Sequence, residues 1–307
     1  MIRAIYRTDV KLFLFSSPPE RPNETVARDV PAGRRFFSAD MFLEHWVALK
    51  GSRHSWVCDE NGRIDSLISL RSSASSAVWY VDYLQTVDEE HCQALLESVS
   101  TSALKKGVRK LYIDLSANSP VISVAKRSGF VVYNTYNVYR YKNKSKPRPV
   151  PVPQPYSIRT RESGDDSALY TLFNKAVPPP VRNAEGATFD EWRNTSLCNA
   201  LFEHRTEHLL SREGNLVGCL RISSAGGAGC FEILFDQLEG AGLEWLVDYA
   251  LNCLSGKASI YGIVSSSQWQ LRSMLEGAGF DNMTKCESLL KETVIRVEEP
   301  QFMPIRA

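Results

Sequence analysis

The sequence lacks most of the features that would assign a chain to a functional class at once. It has no excess of charge of one sign, because 36 Lys and Arg balance 35 Asp and Glu among 307 residues. No run reaches the ~18 apolar residues that a membrane span needs, and residues 1–7 hold no long apolar stretch. These absences argue against a nucleic-acid partner and a membrane protein. We expect a cytoplasmic protein of about two domains.

Cysteine is not arranged as it would be in a disulfide framework or a metal site. The seven cysteines are odd in number and include no C-x-x-C pair, and Cys219, Cys230 and Cys253 sit inside apolar runs. Buried, reduced thiols are the simplest interpretation. Residues 204–208 spell the zinc-peptidase pattern H-x-x-E-H, which requires a helix, but His208 runs directly into a predicted strand. We therefore predict no metal site.

What the sequence does contain is a repeat with an offset of 150 residues. Gly129-Phe130 falls on Gly279-Phe280, and Ile113 falls on Ile263. From about residue 79 to residue 142, the apolar positions stay in register without a gap. A duplicated domain keeps the period of its buried positions long after its side chains have diverged. The chain is therefore predicted to hold two copies of one domain.

A proline-rich segment separates the two copies. Residues 144–155 have proline at five of their last nine positions. Proline cannot donate to a β-ladder or continue a helix, and it favours an extended, stiff chain. We predict an N-terminal domain over residues 1–143, a linker over 144–155 and a C-terminal domain over 156–298. Two similar modules on a short, stiff linker are expected to pack together, with pseudo-twofold symmetry or side by side.

Local patterns predict an α/β (α+β) fold in each copy, with a mixed, mostly antiparallel central sheet flanked by helices. In the second copy, apolar residues at 243, 246, 247, 250, 251 and 254 share one face at helical spacing, and a hairpin turns at Gly214-Asn215. In the first copy a helix is predicted over 89–106, with Asp88 as its N-cap. The predicted order of the second copy is β-α-α-β-β-β-α-β-α-β-β, and it ends in a pair of strands after Gly279-Phe280.

Three segments together carry a family resemblance. The Glu-Gly-Asn-Leu-Val-Gly hairpin at 213–218, the strand-turn-helix at 230–254 and the strand-helix-Gly-Phe ending of both copies resemble the GNAT superfamily of acetyl-CoA-dependent N-acetyltransferases, in tandem. In detail the chain looks most similar to divergent, duplicated bacterial members. The resemblance implies acetyl-CoA (coenzyme A) as co-substrate and a small-molecule or peptide amine as acceptor. The sequence leaves the acceptor and the oligomeric state open.

The resemblance also implies a place for the cofactor. Members carry Gln/Arg-x-x-Gly-x-Gly/Ala between the fourth strand and the next helix, where backbone N–H groups hold the pyrophosphate. Gln237-x-x-Gly240-x-Gly242 satisfies this pattern, although a flexible turn that caps a helix is the alternative. The corresponding segment of the first copy, residues 87–92, has no glycine and three acidic residues, which would repel a pyrophosphate. We therefore expect one coenzyme A per chain, in the second copy. The predicted cofactor-binding residues are Leu234, Phe235, Gln237, Gly240, Ala241, Gly242 and Gln268.

Two carboxylates are candidate bases. An amine nucleophile must be deprotonated, and a lysine-like amine has a pKa near ~10.4, so the superfamily commonly places a carboxylate on the central strand. Glu232 holds that position in the second copy and Asp82 is its equivalent, unless both simply face solvent. The tyrosine that often protonates the leaving thiolate is replaced by Ala125 and Leu275. Two other functions therefore stay open: an inactive GNAT-fold binding or scaffold protein, and an acyl- or aminoacyl-transferase with a cleft between its domains.

Overall fold

The computed structural model describes residues 1–5, 23–26, 53–60, 63–72, 77–142, 151–198, 205–225, 227–236 and 240–293. Within these ranges, strands form one continuous 12-stranded mixed sheet. Most of the predicted linker, at 144–150, lies outside the described residues. The strands are β1 Ile2–Ala4, β2 Arg53–Glu60, β3 Arg63–Ser72, β4 Val78–Gln85, β5 Lys110–Ser116, β6 Val131–Tyr141, β7 Tyr156–Thr160, β8 Arg205–Arg212, β9 Asn215–Ala225, β10 Ala228–Phe235, β11 Ser259–Ser265 and β12 Asp281–Glu292.

Helices flank the sheet as predicted. The N-cap of the first helix is confirmed, because the Asp88 side chain accepts a hydrogen bond from the backbone N–H of His91 at 2.8 Å. No described helix is long and apolar enough to cross a membrane. The helices are α1 Glu89–Lys105, α2 Val121–Arg127, α3 Asp166–Ala176, α4 Pro179–Gly186, α5 Phe189–Cys198, α6 Gly240–Cys253 and α7 Trp269–Gly277.

Two parts of the predicted element order are wrong. The sequence predicts two helices before the hairpin of the second copy, whereas the structure has three, α3 to α5. Prolines 178–180 end one helix and also begin the next, because proline in a first turn gives up an N–H that has no helical partner. The predicted pair of strands after each Gly-Phe step is in fact one long strand, β6 or β12.

The last strand of each copy lies in the sheet of the other copy. The strand order is β1-β2-β3-β4-β5-β12-β6-β11-β10-β9-β8-β7, so β12 pairs with β5 and β6 pairs with β11. We call β1–β5 with β12 the first half, and β7–β11 with β6 the second half. Tyr136 pairs with Cys286, its own equivalent at offset 150, so a pseudo-twofold axis passes through this pair. Pseudo-twofold packing is confirmed, while the domain boundaries along the chain stay a prediction.

Each half has its own core, to which the exchanged strand contributes. Leu289 of β12 lies in the core of the first half, and Tyr139 of β6 lies in that of the second. In the second half, α6 and α7 pack on one face of the sheet, and α3 and α5 pack on the other. Five of the six cysteines whose side chains are described are buried, but Cys253 is exposed at the end of α6, contrary to expectation.

Candidate functional site

The parallel pair β10 and β11 opens into a gap at its C-terminal end. Their pairing stops where Glu232 meets Ile263, while β10 continues to Phe235 and β11 to Ser265. Along this last stretch β10 keeps β9 as its described partner strand. Backbone polar groups on the open side must then find other partners. A gap of this kind can therefore receive a molecule that hydrogen-bonds to a strand edge.

Glu232 lies where the gap begins. Phe231 and Ile233 belong to the core under α6, so Glu232 faces α3 and α5 on the other side of the sheet. Its side chain is 42% exposed and lies 3.5 Å from Nη1 of Arg221, the residue opposite it on β9. It lines a small cleft of about 90 Å³, which also includes Asn134, Phe173, Val181, Glu185, Trp192, Arg221, Leu234, Ser265, Ser267 and Gln268.

A buried carboxylate on β8 shares Arg221 with Glu232. Glu207 accepts hydrogen bonds from Nε of Arg221 at 3.0 Å and Nη2 of Arg205 at 2.7 Å, and it also pairs with Arg161. Burial alone would raise the pKa of Glu207, but these guanidinium charges outweigh burial and lower it to about 2. Arg221 makes its closer contact with Glu207, and Glu232 is the more exposed of the two carboxylates.

The equivalent carboxylate of the first half is held far more tightly. Asp82 is 12% exposed, and it accepts hydrogen bonds from Nη1 and Nη2 of Arg53 at 3.1 and 2.7 Å. Nε of Arg71 also donates to one of its oxygens. Both oxygens are thus bound by guanidinium groups, which leaves Asp82 poorly placed to take a proton. The geometry favours Glu232 over Asp82 as a base, and both assignments remain predictions.

The first half has the same gap, and the chain itself fills it. The pairing of β4 with β5 ends where Val81 meets Ile113. Residues 23–26, which we call the strap, run between the two strands beyond this point, and Thr25 forms a β-bridge with Leu115. A segment of main chain therefore occupies this place, whereas no described segment pairs between the strands at the equivalent place in the second half.

The strap is hydrogen-bonded to both of the strands it separates. The N–H of Glu24 donates to the carbonyl of Leu84 on β4 at 2.8 Å, and the N–H of Val26 donates to the carbonyl of Asp114 on β5 at 2.9 Å. The side-chain oxygen of Asn23 accepts from the N–H of Leu84 at 2.9 Å. The open strand edges of the first half are thus satisfied from within the chain.

In the second half, one side chain spans the gap. Nε2 of Gln268 donates to the carbonyl of Ile233 at 2.7 Å, and Oε1 of Gln268 accepts from the N–H of Ser265 at 3.0 Å. This amide joins β10 to β11 where they no longer pair. A side chain can leave by rotating about its own bonds, whereas the strap can leave only if the main chain moves. The second gap is therefore the one better suited to admit a ligand.

The two glycines of the predicted cofactor loop have different surroundings. A Cβ on Gly240, at the start of α6, would meet nothing within 4 Å. A Cβ on Gly242 would lie 2.9 Å from a ring carbon of Tyr156 and 3.0 Å from Leu210. Gly242 thus allows α6 to approach the sheet, while a side chain at Gly240, in the first turn of α6, would be unobstructed by the described residues.

The other predicted site residues divide into three groups. Leu234 lines the cleft of Glu232 together with Gln268, and Ala241 is exposed beside Gly240 on α6. Phe235 is buried at the end of β10, so it supports the loop from the core. Gln237 lies outside the described residues. The structure thus brings the cleft and the start of α6 to the same end of β10, and coenzyme A binding there stays a prediction.

Three other sequence signals now have a structural context. Ala125 and Leu275, at the tyrosine positions, are buried in the cores. His208 lies on β8 against the ring of Tyr249, and burial lowers its pKa. A strand cannot hold the helical zinc pattern, whose first histidine, His204, lies outside the described residues.

Sequence reasoning missed the residues that control the carboxylates. Arg71 and Arg221 stand 150 residues apart, like Asp82 and Glu232, so the repeat itself could have revealed an arginine–carboxylate pair in each copy. Glu207 has no equivalent signal, because residue 57 in the first copy is a valine. The strap also could not be found, because it lies about 60 residues before β4 and about 90 residues before β5, the two strands it joins.

Comparison with known proteins supports this architecture. No family model matches the chain, and neither does any curated protein. A tandem GNAT protein from the clavulanic acid biosynthesis pathway superposes with a TM-score of 0.58 at 12% identity, covering 96% of this chain and 99% of that one. A GCN5-related N-acetyltransferase from Sphaerobacter thermophilus gives 0.55 at 16% identity, covering 96% of each chain. Because the similarity extends over almost the whole chain, the protein has the tandem GNAT fold.

Proposed function

We propose that the chain is an acetyl-CoA-dependent N-acetyltransferase that acts on a primary amine, with one active site, in the second half. The observation that supports this most is the open gap between β10 and β11 beside the half-exposed carboxylate of Glu232. An open strand edge offers N–H and C=O partners to an extended molecule, as it would to another strand. The amide-bearing pantetheine arm of acetyl-CoA has this character, and the filled gap of the first half excludes a second such site.

In this proposal each residue has a separate task. Gln268 releases Ile233 and Ser265, whose backbone groups then bind the arm. The N-terminus of α6 at Gly240 holds the pyrophosphate through its N–H groups. Acetyl-CoA supplies the acetyl group as a thioester.

Glu232 acts as the base. Its carboxylate takes the proton that the amine nitrogen loses on forming the new amide bond, directly or through one water. The carbon–sulfur bond breaks, and the leaving thiolate takes its proton from solvent, because Ala125 and Leu275 have none to give. The apolar side chains of α3 to α5, such as Trp192, hold the acceptor over the cleft.

The experiment combines a calorimetric titration with an amine screen. We expect one acetyl-CoA per chain and, once an acceptor is found, a turnover about 10²–10⁴ lower for Glu232→Gln with unchanged acetyl-CoA affinity. Asp82→Asn is the control at the equivalent position, and it should reduce stability but not turnover per folded molecule. Two acetyl-CoA per chain, or full activity of Glu232→Gln, would show the proposal to be wrong. If acetyl-CoA binds and no amine is acetylated, the binding protein becomes the better assignment.

A further inference from the structure

A thiol, a carboxylate and an imidazole meet in the first half, far from Glu232. Cys58 and Glu60 are two residues apart on β2, so they project from the same face of the sheet. His91 lies in the first turn of α1, which packs against β2. One ligand atom from each of the three side chains lies within 4.8 Å of the other two. Thiolate, imidazole and carboxylate are the ligands that Zn²⁺ takes in proteins.

A fourth side chain orients the imidazole. Both carboxylate oxygens of Asp88 lie 2.8 Å from Nδ1 of His91, while Nε2 of His91 faces Glu60 at 3.2 Å. A carboxylate on the far nitrogen of a metal-bound histidine fixes the tautomer and raises the basicity of the ligating nitrogen. Asp88 therefore prepares Nε2 to bind a cation on the side where Cys58 and Glu60 lie.

The charges fit a divalent ion. Carboxylates contact both ring nitrogens of His91, Asp88 at Nδ1 and Glu60 at Nε2. A thiolate, a carboxylate and a neutral imidazole together carry two negative charges, which Zn²⁺ balances.

We propose that Cys58, Glu60 and His91 form a Zn²⁺ site, with water as the fourth ligand and Asp88 as the outer carboxylate of His91. Binding replaces the S–H bond of Cys58 by an S–Zn bond and releases its proton to the buffer, together with the Nε2 proton wherever His91 carries one. The ion joins β2 to the N-terminus of α1. It thus fixes the N-terminus of α1 in the first half. The equivalent helix N-terminus in the second half, at Gly240 of α6, is the proposed anion site.

The test uses the full chain, freed of metal and titrated with zinc chloride and with cobalt chloride. We expect one Zn²⁺ per chain, a raised midpoint of thermal unfolding and proton release that depends on the buffer. Co²⁺ in the same site should give a sulfur-to-cobalt charge-transfer band in the near ultraviolet, which reports the thiolate directly.

Matched variants assign the ligands. Cys58→Ser should abolish the cobalt band, and Cys58→Ser and His91→Gln should each weaken Zn²⁺ binding by at least about tenfold. Asp88→Asn keeps an N-cap for α1 but loses the outer carboxylate, so about a 10- to 100-fold weaker affinity is expected. Two control variants, Cys253→Ser at an exposed position and His208→Gln on β8, should bind Zn²⁺ as tightly as the wild type.

Several results would overturn the site. One is the absence of Zn²⁺ binding by the wild-type chain. Others are Co²⁺ binding without the sulfur band, and Zn²⁺ binding that Cys58→Ser and His91→Gln leave unchanged. Circular dichroism of each variant checks that it is folded. If a ligand variant fails to fold, Asp88→Asn still tests the site, because it keeps all three ligands.

Discussion

Glu207 shares Arg221 with the candidate base Glu232 and is held by Arg161 and Arg205 as well. Its pKa in the folded protein is lowered to about 2, from an ordinary value of 4.5. Because this pKa is lower in the folded than in the unfolded protein, ionised Glu207 stabilises the fold. This contribution is complete above about pH 4.5 and is lost as the pH falls toward 2. Removal of Glu207 would leave Glu232, at 3.5 Å, as the carboxylate paired with Arg221.

We therefore expect Glu207→Gln to lower the stability of the fold. Removing one partner of a buried charged cluster typically lowers the free energy of unfolding by about 3–5 kcal/mol. Urea unfolding at neutral pH measures this loss, and repeating it between pH 4.5 and 2 should show a weaker pH dependence than in wild type. The same steep acid dependence in the variant would mean that another carboxylate is responsible.

Gly240 tests the cofactor site without disturbing the fold. A Cβ there meets nothing within 4 Å, and a negative charge at a helix N-terminus stabilises the helix. Gly240→Glu should therefore keep the wild-type unfolding midpoint and lose acetyl-CoA binding, because its carboxylate repels the pyrophosphate. Gly256→Glu, beyond the other end of α6 and equally unobstructed, adds the same charge and should bind normally. Equal affinity in both variants would place the pyrophosphate elsewhere.

At the scale of elements, the strap is what makes the two halves unequal. Its main-chain hydrogen bonds fill the gap between β4 and β5, whereas the equivalent gap between β10 and β11 is proposed to bind acetyl-CoA. The side chain of Asn23 is its anchor, since Oδ1 accepts from the N–H of Leu84 and from both the N–H and the hydroxyl of Thr25.

We expect Asn23→Ala to loosen the strap. Leaving the N–H of Leu84 without its partner should lower the free energy of unfolding by about 1–3 kcal/mol. Hydrogen exchange at the amides of Leu84 and Val26 should become faster than in wild type. Asn282→Ala, at an exposed position of β12, is the control and should change neither quantity by much. Unchanged exchange in Asn23→Ala would mean that the strap is held by its main chain alone.

Elements set by nearby residues could be predicted, and those set by distant partners could not. The N-cap Asp88, the helical face of α6 and the hairpin at Gly214 follow from side chains a few positions apart. The exchange of β6 and β12 does not, because either strand could pair beside β5 or β11 with the same side-chain alternation. The same holds within the site: the family resemblance predicts Glu232 and the repeat then predicts Asp82, whereas Glu207 and the strap act through the tertiary fold.

At the scale of the whole molecule, the exchanged strands join the two halves into one folding unit. Residues 1–143 alone would lack β12, and would therefore leave β5 with an open edge and β6 without its partners. Unpaired edges of this kind promote aggregation. We expect residues 1–143 expressed alone to be insoluble or aggregated, while the full chain is soluble. A monomeric, folded fragment with native-like circular dichroism would contradict this.

The full chain should for the same reason unfold in a single step. Leu289 is supplied by the C-terminal copy and buried in the core of the first half, so its loss weakens a core that both copies build. Leu289→Ala should lower the free energy of unfolding by about 2–5 kcal/mol and shift the whole transition. Calorimetry, together with coincident fluorescence and circular dichroism curves, detects this. If the halves were independent, two transitions would appear and Leu289→Ala would move one of them alone.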